Sequence, residues 1–266
     1  MTGRPPSRVA QPGLLSGLGP PVLLALTGTG LLHTTVRSDV YLRYVKEGLR
    51  PYLVASGFLL VALGLAGLAV ELVRRVRQPL DEHAEGHDEH TEGHDDHGHG
   101  GATRIAWLLA VPALTLMFVA PPALGSYTAS RDGAAAGVEQ AAYEDLADAP
   151  TTPMAMEEFI GRSVHAPKTL RDRTVRLLGF VSAGKSPDTW YLNRLKLSCC
   201  AADVRTLRVE MRGVKAPDKD TWVEVTGVWR GDEVAAENPV PTMEVGGLKP
   251  IGQPRNPYHD APPTDG

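Results

Sequence analysis

The chain has 266 residues, a formal net charge of -4 and two cysteines. Because it is near neutral and has no basic run, nucleic acid is not an expected partner. The two cysteines, Cys199 and Cys200, are adjacent and therefore provide no disulfide framework. The length allows a membrane region and one modest extramembrane domain.

Three long segments contain no Asp, Glu, Lys or Arg: residues 9–36, 51–70 and 105–130. Crossing the hydrocarbon core of a bilayer takes roughly 20 apolar residues, and in that core the backbone must satisfy its own hydrogen bonds. We therefore predict a multi-pass cell-membrane protein whose first partner is the lipid bilayer. Its three transmembrane helices are expected at about residues 14–33, 51–73 and 105–127, after a disordered N-terminus at residues 1–12.

A cleaved signal peptide is the alternative for the first segment. Arg4 and Arg8 would form its charged start, and residues 22–32 its apolar centre. Against this, the segment is long, contains Pro20 and Pro21, and is followed by no A-x-A cleavage site.

Lysine and arginine in the short flanks indicate the orientation. Six of them lie on one predicted side and five on the other, and the six include Arg74, Arg75 and Arg77 directly after the second segment. This asymmetry predicts a cytoplasmic N-terminus, a cytoplasmic loop at residues 81–101 and an extracytoplasmic C-terminal domain.

The predicted cytoplasmic loop is rich in histidine. The sequence HAEGHDE is followed by HTEGHDD and then by HGH. Neutral imidazole binds zinc, copper or nickel, and a histidine-rich tract without an apolar face is expected to order only on metal binding. The alternative is a solvated low-complexity loop with no selected role. The predicted metal ligands of this tract are His83, His87, His90, His94, His97 and His99.

The second half of the chain predicts a separate domain. Residues 128–150 are expected to be a linker, and residues 151–253 a mainly-β domain. A short helix at residues 154–162 is capped by Thr151 or Thr152 in this prediction, and strands follow at 174–181, 190–200, 206–211, 222–229 and 241–245. Five short strands and one helix are typical of a small OB-like barrel. Residues 254–266 are expected to be a disordered tail.

One motif in this domain contains soft ligands. The segment LSCCAAD contains Cys199, Cys200 and Asp203. The two thiols predict one of two uses: ligation of a soft metal, with Asp203 or His165 as a further ligand, or thiol redox chemistry. The alternative is one small core cysteine and one incidental cysteine. The sequence has no catalytic triad, nucleophile elbow, P-loop or HExxH motif, so an enzyme is not predicted.

Several segments together resemble the YcgQ-like bacterial membrane proteins. The resemblance runs from about Tyr41 to Gly252, and its most specific part is the CCAAD block. The matching segments are WLLAVP at 107–112, VAPPALG at 119–125, GFV at 179–181, WYLNR at 190–194, SCCAAD at 198–203 and DTWVEVTG at 220–227.

The resemblance implies a membrane-anchored accessory of a permease that handles zinc or another divalent metal. Cys199, Cys200 and Asp203 carry over as members of the motif, with Zn2+ as the expected ion. Two other functions stay open at this point. One is an envelope protein whose β domain binds a protein or a glycan without metal, and the other is an extracytoplasmic thiol oxidoreductase.

Overall fold

The computed structural model describes residues 18–77, 122–131, 141–186, 188–231, 234 and 239–264. These residues belong to two compact units. The first contains the described residues up to Ser38 and residues 50–77, and the second contains residues 39–49 and the described residues from Pro122 onward. The predicted disordered N-terminus, the histidine-rich loop and most of the predicted third helix lie outside the described residues.

The first unit is a pair of antiparallel helices. Helix α1 spans Gly19–Leu32 and continues as a π-helical turn at His33–Arg37, and α2 spans Arg50–Arg77. Among the described residues, α1 begins at Gly19 because the following two prolines occupy its first turn, where a missing N–H costs little. Helix α2 agrees with the predicted second helix and extends it by about one turn.

Glycines bring α1 and α2 close together. A Cβ added at Gly64 would lie 2.6 Å from the backbone nitrogen of Ala25, and one added at Gly28 would lie 2.8 Å from the carbonyl oxygen of Gly57. Small residues of this kind allow two helix backbones to approach closely. The glycines of α2 therefore form its contact with α1, whereas the alanines at positions 62, 66 and 69 are exposed.

Among the described residues, one helix is long and apolar enough to cross a membrane, and it runs from Glu47 to Arg77. Helix α1 has 14 residues and spans about 21 Å, which is less than the hydrocarbon core. The number of three spans therefore stays a prediction. Many large apolar side chains of α2 are exposed: Tyr52, Phe58, Leu59, Leu63, Leu65, Val70, Leu72, Val73 and Val76.

The second unit is built on a six-stranded mixed sheet. Its strands are β1 (Thr152–Pro153), β2 (Thr174–Ala183), β3 (Trp190–Lys196), β4 (Arg205–Arg212), β5 (Trp222–Trp229) and β6 (Thr242–Ile251). The strand order is β1-β2-β3-β4-β6-β5, and β2 also pairs with β5, so the sheet closes on itself. The β1–β2 and β4–β6 pairs are parallel and the others are antiparallel.

Two predicted strands have different bounds in the structure. Strand β3 ends at Lys196, so the two cysteines lie beyond it, and β6 continues to Ile251. The other strands agree with the prediction to within two residues, and the predicted helix is α4, Met156–His165, numbered after a short α3 at Ser126–Arg131.

The interior of the closed sheet is filled by side chains. Phe159 and Ile160 of α4 are fully buried among inward-facing residues such as Val175, Leu192 and Val225. The closed sheet therefore surrounds a packed core rather than a channel.

A second apolar layer covers the outside of β2, β3 and β5. Phe180, Leu195 and Trp222 pack there with Ala129 of α3 and with Tyr258. The predicted linker 128–150 is therefore wrong at its start, and the predicted disordered tail is wrong for residues 254–264, which the structure describes. The physical reason is that the outward-facing apolar side chains of these strands need cover from water.

The tail also caps helix α4. The carboxylate of Asp260 accepts hydrogen bonds from the backbone N–H groups of Met156 at 3.1 Å and Glu157 at 2.8 Å. The same carboxylate lies 3.7 Å from Nε of Arg194, whose side chain is 1% exposed. A carboxylate at a helix N-terminus satisfies free N–H groups and the helix dipole. The predicted cap by Thr151 or Thr152 is therefore wrong.

We predict that Asp260→Ala lowers the free energy of unfolding by about 3 kcal/mol, because it leaves the buried guanidinium of Arg194 without its carboxylate. Unfolding of the detergent-solubilised chain can be followed by tryptophan fluorescence, since three of its four tryptophans lie in β3 and β5.

The matched control is Asp148→Asn. Asp148 is fully exposed and pairs with Arg173 at 2.9 Å, so its loss should leave the unfolding transition nearly unchanged. Equal effects of the two substitutions would contradict the role given to Asp260.

Candidate metal site

The candidate site lies on the loop between β3 and β4. These strands are antiparallel, with Lys196 opposite Arg205, so residues 197–204 form the loop at their ends. Ala201–Asp203 form one 3-10 turn inside it. The predicted strand at residues 190–200 is therefore wrong at Cys199 and Cys200, because both lie in the turn beyond the end of β3.

The carboxylate of Asp203 organises this loop. Its Oδ1 accepts hydrogen bonds from the backbone N–H groups of Ser198 at 3.0 Å and Cys200 at 3.3 Å. Its Oδ2 accepts one from the N–H of Cys199 at 2.7 Å. In return, the N–H of Asp203 donates to the carbonyl oxygen of Cys200 at 3.1 Å. The backbone around both cysteines is thus held by hydrogen bonds to a single side chain.

The wrapped loop brings three ligand side chains together. The Sγ atoms of Cys199 and Cys200 and a carboxylate oxygen of Asp203 all lie within 4.8 Å of one another. Both thiols are free; Cys199 is exposed and Cys200 half-buried. His165, which the sequence left as an alternative ligand, is not part of this group.

A hydrogen bond between the side chains links Cys199 and Asp203. The thiol of Cys199 donates a hydrogen bond to the Asp203 carboxylate, and this bond, followed by one with Cys200, raises the pKa of Cys199 to about 11. The same thiol hydrogen bond, and then the backbone N–H groups, hold the pKa of Asp203 below its ordinary value. At neutral pH Cys199 is therefore a neutral thiol, which disfavours nucleophilic thiol chemistry at this residue.

Residues between α1 and α2 in the sequence support the loop from outside. Val45 forms an antiparallel bridge with Cys200. The N–H of Lys46 donates to the carbonyl oxygen of Cys199 at 3.0 Å, and the N–H of Ala201 donates to that of Tyr44 at 2.8 Å. The backbone is therefore held on both sides of the cysteine pair.

Tyr258 ties these residues to the rest of the domain. Its hydroxyl donates to the carbonyl oxygen of Arg43 at 3.1 Å and accepts the N–H of Leu124 at 2.9 Å. Arg255 adds an ion pair with Asp39, with Nη2 and Oδ1 2.8 Å apart. The sequence analysis missed the supporting role of residues 39–49. The one available signal was that the resemblance to the YcgQ-like proteins already begins at about Tyr41, within this segment.

The donor set fits a zinc ion. Thiolates and a carboxylate are ligands that Zn2+ accepts, and a hydrogen bond already aligns the sulfur of Cys199 with the carboxylate of Asp203. Binding would require loss of the thiol protons and would therefore weaken as the pH falls. The predicted histidine ligands lie outside the described residues: His83, His87, His90, His94, His97 and His99.

Comparison with known proteins identifies the domain that contains the site. The family model of the DUF1980 C-terminal domain matches residues 155–259. This part of the chain is similar to that domain. The match extends from the start of α4 past Tyr258 and includes the cysteine loop. No curated protein and no solved structure matches the chain.

We predict a steep pH dependence for alkylation of Cys199. In a Cys200→Ser background, the rate with iodoacetamide should rise about tenfold per pH unit between about pH 8 and pH 9, because the thiolate reacts and the hydrogen bond with Asp203, the larger of the two that raise the pKa of Cys199, is kept. Adding Asp203→Asn removes the negative charge, lowers the pKa and should raise the rate at about pH 8 by roughly tenfold.

The control for this measurement is Asp188→Asn, which changes a carboxylate on the β2–β3 turn and should leave the rate unchanged. A rate that levels off below about pH 9 in the Cys200→Ser background would contradict the hydrogen bond between Cys199 and Asp203.

Proposed function

We propose that this protein is a membrane-anchored accessory of a permease and that it binds zinc, as cargo, at Cys199, Cys200 and Asp203. The observation that carries the proposal is the convergence of two free thiols and a carboxylate on a surface loop whose backbone is held in place. A loop serving only as a strand connection has no need of two adjacent thiols beside a carboxylate.

The chemistry of the loop supports binding of a divalent cation. Asp203 is held in its charged form by backbone N–H groups and by the thiol of Cys199. A cation that enters between the sulfur and the carboxylate takes the place of the thiol proton, so two neighbouring charges are neutralised by one ion. The exposure of Cys199 leaves the site open to exchange with solvent and with other proteins.

The membrane anchor is supported by α2. Its apolar side chains are exposed along most of its length, and lipid is the solvent in which that exposure costs nothing. Resemblance to the YcgQ-like membrane proteins supports the permease as partner. The three charge-free segments support a multi-pass arrangement, and the Lys and Arg residues that flank them support a cytoplasmic histidine tract and an extracytoplasmic C-terminal domain. We infer an accessory rather than a pore because three predicted helices with few polar residues do not line a channel by themselves.

The architecture of the domain is consistent with an OB-like barrel, since five strands close through the β2–β5 pair. OB-folds bind ligands through their second and third strands, which correspond to β3 and β4 here. On the outer face of β3, however, Tyr191, Asn193 and Leu195 are buried. The loop between these strands, rather than their face, is therefore the surface offered to a ligand.

Zinc binding tests the proposal directly. We expect the full chain to bind zinc at the barrel and a Cys199→Ser/Cys200→Ser variant to lose that ion, because serine hydroxyls replace both thiolates. Competition with a coloured chelator measures the affinity and the number of ions bound. A variant lacking residues 83–99 should lose additional ions and keep the thiol-dependent one.

The matched control is His165→Asn. His165 can ligate a metal but is not part of the cluster, so its replacement should leave zinc binding unchanged. Equal zinc binding by the wild type and the double serine variant would rule out the cluster as the site. Unchanged metal uptake by cells whose protein lacks residues 83–99 would show that the histidine tract has no part in uptake.

Membrane anchoring is tested separately. We expect the chain to stay in the membrane pellet after an alkaline carbonate wash, because the apolar surface of α2 holds it in lipid. A variant with Leu59→Lys and Leu63→Lys should be extracted more readily than the wild type, because two charges in α2 weaken its hold in lipid while the other predicted spans keep their apolar surface. Recovery of the wild type in the supernatant would refute the anchor.

The alternative function, binding of a protein or glycan without metal, has one observation in its favour. A cleft of about 350 Å³ lies in the second unit, and its lining includes Lys46, Glu157, Lys196, His259 and Asp260. Charges of both signs suit a polar partner. Undiminished binding of the partner by the double serine variant in metal-free buffer would favour this function.

A further inference from the structure

The cysteine cluster supplies fewer ligands than a closed zinc site requires. Structural zinc sites hold the ion with four protein ligands, whereas sites that exchange or react at the metal use three and keep one position open. Among the residues that the structure describes, the cluster contains three ligand side chains: Cys199, Cys200 and Asp203.

The scaffold around the cluster holds these three ligands in place. The backbone of Cys199, Cys200 and Ala201 is fixed by Tyr44 and Lys46, and Asp203 is fixed by three N–H groups. A loop tied at both sides does not readily move toward a distant ligand of the same domain. Cys199 is exposed, so the open side of the cluster faces away from the packed core.

Charge decides which ligand suits the open position. Two thiolates and one carboxylate contribute three negative charges against the two positive charges of the ion. A further thiolate would bring the site to two net negative charges, whereas a neutral imidazole leaves it at one. A neutral nitrogen donor therefore completes the site with the smaller net charge.

We propose that the cluster is an exchange site, in which a neutral imidazole from a partner protein completes the coordination of the ion and carries it away or delivers it. This inference rests on the proposed zinc binding and adds the chemistry of the partner. No step changes the oxidation state of the ion. The imidazole nitrogen first bonds to the metal at the open position, where it displaces solvent. The ion then leaves as its bonds to the two sulfurs and the carboxylate break, and the thiolates take up protons from water.

Cobalt(II) is the probe for this proposal, because its visible ligand-field bands report the coordination number and its near-ultraviolet band reports thiolate ligation. The full chain in detergent is loaded with Co2+, and the spectrum of the Cys199→Ser/Cys200→Ser variant is subtracted to remove other bound cobalt. Imidazole is then titrated, with azide as the anionic comparator, since azide is charged at neutral pH and adds no thiolate band.

We expect imidazole to shift the ligand-field bands saturably while the thiolate band persists, and azide to cause a smaller shift at equal concentration. A thiolate band that no added ligand affects would mean a closed site and would overturn the exchange proposal alone. So would loss of the thiolate band with no saturable shift before it, or a stronger response to azide. Absence of any thiolate band would refute zinc binding at the cluster itself.

Discussion

The carboxylate of Asp203 is the interaction on which the candidate site depends. It accepts hydrogen bonds from the N–H groups of Ser198, Cys199 and Cys200. These bonds fold the connection between β3 and β4 into a compact loop. The same carboxylate also accepts the thiol hydrogen bond of Cys199. The same carboxylate therefore sets the conformation of the loop and is one of its three candidate metal ligands.

The surrounding domain is assembled from segments that are far apart in the sequence. Residues 39–49 hold the backbone of the cysteine loop, α3 covers the outside of the strands, and the tail caps α4 through Asp260. Tyr258 links two of these segments through a single hydroxyl group. The matched region at residues 155–259 is thus completed by pieces that precede and follow it.

Local patterns predicted the regular elements well and their surroundings poorly. Strand β5 agrees with its prediction at both ends, because alternating apolar residues between Trp222 and Trp229 are a purely local signal. The tail near Asp260 reads as disordered because it is rich in proline and has no periodicity. Its order comes from a buried arginine and a helix N-terminus, which the sequence does not show as neighbours.

The sequence by itself determined that a charge-free helix precedes a small β domain and that Cys199, Cys200 and Asp203 form a chemically coherent set. Hydrophobicity, strand alternation and ligand type are properties of residues close together in the chain. Only the tertiary structure decided that the cysteines lie on a loop with their ligand atoms converging, and that residues 44–46 hold them there. Those contacts join distant parts of the chain, and hydrogen bonds between backbone groups leave no trace in residue identity.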